Sequence, residues 1–129
     1  MSALSFYRRV IEETGQPSRE AVKAGTAAVL HTLRDRLTPE EAKQAVAQLP
    51  RDLKLVWEEG DVPGRKPVKL HRKEFYERVK AEARLRSIRE ARFLTIGVFA
   101  ALKAQLSPGE ADDIQAQLPR DLKEVWEDA

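Results

Sequence analysis

Apolar side chains recur along this 129-residue chain at spacings of three and four, the signature of helices with one buried stripe. Phe6, Val10 and Ile11 define the first stripe, which runs into the stop signals Gly15 and Pro17. Ser18 stands where a second helix should start, and that helix holds a charge-free run of ten residues, Ala24 to Leu33. It ends near Leu37, where Thr38, Pro39, Glu40 and Glu41 supply a cap, a proline for the first turn and acids for the positive helix end. A short third helix follows, and Pro50 opens a fourth with Leu53, Val56 and Trp57 on one face.

The same order then repeats. At an offset of 69, residues 1–60 align with 70–129 without a gap and with 24 identities in 60 pairs. Ala47 to Lys54, AQLPRDLK, returns unchanged as Ala116 to Lys123, and Phe6, Tyr7, Arg9 and Val10 return as Phe75, Tyr76, Arg78 and Val79. Ser87 to Glu90 has the capping-box pattern, so the break after the first helix survives where Gly15 and Pro17 have become Arg84 and Arg86. The expectation is an all-α single domain built from two tandem four-helix repeats related by a pseudo-two-fold axis. Residues 1–60 and 70–129 form the repeats and share one core, with the proline- and glycine-containing 61–69 as linker.

Helices that are apolar nearly all round belong at the centre. A two-fold relation would set Ala24 against Phe93, Gly25 against Leu94 and His31 against Ala100, each pair matching small with large. Ten charge-free residues are about half of a membrane span, so no insertion is expected. The start, MSALSFYRRVIEETG, lacks the pattern of an export signal, which favours the cytoplasm. The absence of Cys and Asn, with Met1 the only methionine, is a depletion also found in heat-adapted proteins.

A helix ending in L-(S/T)-P-x-E-A, an A-Q-L-P turn and a helix with a tryptophan occur as Leu37 to Ala42, Ala47 to Pro50 and Trp57, then as Leu106 to Ala111, Ala116 to Pro119 and Trp126. This pattern resembles the bacterial domain-of-unknown-function 2267 family. The resemblance implies an all-helical bacterial protein of two related halves and supplies no activity.

Two surfaces are candidates for function. The repeated motif would place Gln48, Arg51, Asp52 and Trp57, with Gln117, Arg120, Asp121 and Trp126, on a doubled interaction surface, although each of these residues also has a role in folding. The net charge of +2 divides into 0 over residues 1–60, +6 over 61–92 and −4 over 93–129. Arg65, Lys66, Lys69, Lys73, Lys80, Arg84, Arg86, Arg89 and Arg92 could therefore hold phosphates, unless pairs such as Glu74 with Arg78 and Arg86 with Glu90 neutralise them locally. Few aromatics interleave with them, which argues against base stacking.

Catalysis is not indicated. Neither His31 nor His71 has a glutamate three residues before it, there is no cysteine, and no phosphate loop or nucleophile elbow is present. No catalytic, metal or cofactor site is expected, and His31 reads as a hydrogen-bonded interior residue. The expected function is a non-catalytic module binding a protein partner or a second copy of itself, with nucleic acid as the alternative. A small apolar ligand between the central helices is a third reading.

Overall fold

A computed structural model describes residues 2–15 and 19–129; the expected helix start at Ser18 and the stop at Pro17 lie outside them. The described residues form eight helices and no strand: α1 (Ala3–Thr14), α2 (Arg19–Arg36), α3 (Pro39–Ala47), α4 (Arg51–Glu58), α5 (Arg72–Ala83), α6 (Ile88–Gln105), α7 (Pro108–Ala116) and α8 (Arg120–Asp128). No helix among them is long and apolar enough to cross a membrane.

Local chemistry sets the boundaries. Thr38, Ser87 and Ser107 each accept a bond at their hydroxyl from the amide three residues on, at 3.2 Å in all three cases, satisfying a free donor of the first turn. Pro50 and Pro119 stand at the N-caps of α4 and α8, where a missing amide hydrogen costs nothing. At the other end of α1, Gly15 takes the left-handed conformation with φ 68°, and Arg84 takes the same role after α5 with φ 55°. The residue that ends the first helix of each half is therefore left-handed despite the exchange of glycine for arginine.

Helices α2 and α6, each with a ten-residue charge-free run, pack together at the centre, and the halves interlock around them. Helix α1 packs chiefly on α6 rather than on its own neighbour α2, while α5 packs chiefly on α2. One continuous core results, from Phe6 and Val10 through Val29, Leu33 and Leu94 to Phe99 and Trp126. The expected meeting of Gly25 and Leu94 is present: a Cβ on Gly25 would stand 2.6 Å from Leu94 Cδ1. The other two expected pairs do not form core contacts of that kind. Ala24 and Phe93 are exposed, and His31 turns to Glu82 and the Val56 carbonyl instead.

Paired cations close the fourth helices. Arg34 donates through Nη1 to the carbonyls of Trp57 (2.7 Å) and Glu59 (2.6 Å), and Lys103, its counterpart in the second half, donates to Trp126 and Ala129, both at 2.8 Å. A positive group thus meets the negative helix end in each half.

Candidate functional site

The repeated A-Q-L-P-R-D-L-K segment is a clasp between the halves. Gln117 Oε1 accepts from the Thr38 amide at 2.9 Å while its Nε2 donates to Thr38 Oγ1 at 3.2 Å. Gln48 does the same for Ser107, at 2.8 and 3.2 Å. Each glutamine thereby caps a helix of the opposite half. The tryptophans are unsuited to an exposed interaction surface, since Trp57 is 2% and Trp126 1% exposed, both in the core. Asp121 holds the start of α5 by accepting from the Arg72 amide at 3.0 Å. Burial works to raise its carboxyl, but hydrogen bonds from Arg72 and Leu122 and the nearby His71 prevail and lower it. Only Arg51, Asp52 and Arg120 of the expected surface are exposed.

This clasp has a consequence for two carboxylates. In a capping box the third residue of the helix returns its side chain to the N-cap amide, and Glu41 and Glu110 occupy that position in α3 and α7. Both amides are already taken by Gln117 and Gln48. Released from that role, the two glutamates turn toward each other where α3 meets α7, 9% and 6% exposed. Oxygens of Glu41, Glu110 and the exposed Asp113 lie within 4.8 Å of one another. Burial, a hydrogen bond to Glu41, and the charges of Glu41 and Asp113 push the Glu110 carboxyl up to about 8. Sequence reading took Glu41 as an ordinary first-turn acid; the signal it held was the capping-box position repeated in both halves.

The basic segment does not form a single patch. Arg65 is spent on the fold: it donates to the Leu37 carbonyl at 2.8 Å, to the Arg34 carbonyl at 2.7 Å and to Asp61 at 2.8 Å, fastening the linker to the end of α2. Arg78 pairs with Asp35 rather than with Glu74, and no Arg86–Glu90 pair occurs among the described residues. Burial pushes the Asp35 carboxyl up, yet hydrogen bonds from Arg34 and Arg78 outweigh it and hold the group low. Lys66, Lys69 and Lys73 lie on the linker and the start of α5. Lys73 and Arg84 are about 16 Å apart along the axis of that helix.

What remains together is the corner where α5 turns into α6. Lys80, Arg84, Leu85 and Ile88 line a shallow groove of about 540 Å³ with Glu77 and Ala81. Arg86, Arg89 and Arg92 are exposed beside it, and Arg89 stacks on Phe93 at 5.3 Å. Ile88 and Phe93 stand 42% and 43% exposed, large apolar side chains left in water amid cations. No ion pair among the described residues engages Lys80, Arg84, Arg86, Arg89 or Arg92. Ile88 and Phe93 were the members of this corner that reading by charge overlooked.

Histidine chemistry belongs to the fold. His31 Nδ1 lies 2.7 Å from Glu82 Oε2 and Nε2 lies 2.6 Å from the Val56 carbonyl, tying α2 to α5 and α4. His71 stands 3.6 Å from Asp121 at the surface. No curated protein matches the chain. A family model described as an uncharacterized conserved protein matches residues 4–125, nearly the whole interlocked fold, and the chain belongs to that family, DUF2267.

Proposed function

We propose that this protein is a non-catalytic binding module whose α5–α6 corner receives an acidic, partly apolar protein surface. The observation that carries the reading is the company of unpaired cations and exposed apolar groups at one corner: Lys80, Arg84, Arg86, Arg89 and Arg92 around Ile88 and Phe93. Arginine and aromatic side chains anchor protein interfaces, because they combine apolar area with directed donors. The equivalent corner of the first half carries Gly15, Arg19, Glu20, Lys23 and Ala24, with neither the apolar pair nor the arginine cluster. A second copy of the chain is one such partner, since residues 93–129 hold seven acids against three bases.

Chemical-shift perturbation tests the assignment, with an acidic leucine-containing peptide and a DNA duplex added separately at about 50 and about 200 mM salt. The expected result is peptide-induced shifts confined to residues 80–93 that survive the higher salt, because apolar contacts are little screened. Steeply salt-dependent duplex binding, abolished by R84E/R86E/R89E, would favour a nucleic-acid partner instead. Shifts from neither probe overturn the corner as a binding surface. Light scattering on the same samples reads self-association.

A further inference from the structure

A second site emerges where the two halves meet, built from residues that the capping reading leaves unexplained. Glu41 and Glu110 are both at least nine-tenths buried, and in each the Oε2 atom is out of contact with solvent and has no donor other than the proton the two carboxyls can share. No lysine, arginine or histidine among the described residues forms an ion pair with Glu41, Glu110 or Asp113. Even with a proton shared between the two glutamates, three carboxyl groups within 4.8 Å leave negative charge that a cation would compensate.

We propose that Glu41, Glu110 and Asp113 bind one hard divalent cation, which clamps α3 to α7. Oxygens that share an ion can lie no farther apart than twice the metal–oxygen distance, about 4.6–5.2 Å for Ca²⁺, and the cluster is within that reach. An all-carboxylate donor set selects Ca²⁺ or Mn²⁺ over ions that prefer nitrogen and sulfur. Asp113 is exposed and opens the path from solvent; its counterpart in the first half is Gln44, so the site is offset toward the second half. The clasping glutamines are the positioning residues: by occupying the Thr38 and Ser107 amides they leave both glutamates free to face the ion.

Titration calorimetry of the full chain with Ca²⁺ and, separately, Mn²⁺ tests the site. One equivalent per chain is expected, accompanied by a rise in melting temperature. Glu110→Gln and Asp113→Asn should each weaken binding by about tenfold or more, whereas Asp112→Asn, a neighbouring acid outside the cluster, should leave it unchanged. Glu110→Gln relieves a repulsion and should stay folded by circular dichroism; if it does not, Asp113→Asn at an exposed position carries the test alone. Absence of heat and of a melting shift with either ion overturns the proposal. So does binding that persists in Glu110→Gln and Asp113→Asn, which would mark adventitious surface carboxylates.

Discussion

The two halves share a scaffold and differ in what they mount on it. Where they agree, the reason lies in the folding contacts: glutamines clasp opposite helices, tryptophans fill the core, and Arg34 and Lys103 close α4 and α8. Where they disagree at the surface, the second half gains Arg84, Ile88, Arg89 and Phe93 over Gly15, Arg19, Glu20 and Ala24. The contacts repeated in both halves serve the fold, and the exposed positions where the halves diverge are the place to look for a partner. A search guided by the densest repeat alone would stop at the clasp.

The sharpest way to break the comparison is at a place in the core where equivalent residues differ in size. Gly25 admits Leu94 so closely that any side chain there must displace the buried Leu94, so the much larger Gly25→Leu is expected to abolish cooperative unfolding in a thermal melt. G25L/L94G restores the total volume with the bulk on the opposite side and should regain a measurable transition. A wild-type melting curve for Gly25→Leu would show that the central packing tolerates symmetry.

Next in size is the carboxylate pair. An unfolded glutamate titrates near 4.5, whereas Glu110 in the fold holds its proton up to about 8. The folded state therefore binds this proton more tightly, and the stability it contributes is full below 4.5 and drains as pH rises toward 8. The slope is at most about 1.4 kcal/mol per pH unit. With a chelator present, the wild-type protein should melt at a lower temperature at pH 8 than at pH 5. Glu110→Gln, whose amide can donate to Glu41 at any pH, should show a flatter profile and exceed the wild type at pH 8. Superimposable profiles would remove the shared proton.

A smaller effect separates the two clasping glutamines. The bond from the Thr38 amide to Gln117 is partly buried, while that from the Ser107 amide to Gln48 is exposed. Water can replace Gln48 more readily than Gln117. Denaturant unfolding should give a loss of about 1–1.5 kcal/mol for Gln117→Ala and less for Gln48→Ala. Equal losses would mean that solvent reaches both caps alike.

These residues also show where sequence reading reaches its limit. Thr38, Ser87, Pro39 and Pro108 announce helix starts because their partners are within three residues, and the 3.6-residue stripe announces the buried faces. The resulting all-helical architecture was legible from end to end. Gln117 gave no such notice, since its partner Thr38 lies 79 positions away. Arg65 looked like a phosphate ligand for the same reason: the carbonyls it satisfies, on Arg34 and Leu37, are 31 and 28 positions distant. Glu41 was misjudged one step further along that chain of contacts, because its release depends on Gln117 having taken the amide first. Ile88 and Phe93 carry no charge, and periodicity cannot tell an exposed apolar residue from a buried one.

The mildest substitution joins the two halves' histories to the proposed surface. Gly15 and Arg84 stand at equivalent left-handed positions, with φ 68° and 55°, a conformation that glycine adopts freely and arginine only at a cost. Arg84→Gly removes that strain, and the gain is partly offset by the greater freedom glycine has in the unfolded chain. The expected net change is a stabilisation of about 0.5–1 kcal/mol by denaturant titration. If Arg84 serves the corner, the same variant should lose peptide-induced shifts at residues 80–93 while becoming more stable, the exchange of stability for binding that a functional residue in a strained position predicts. A variant that is both more stable and fully competent to bind would assign Arg84 to neither role.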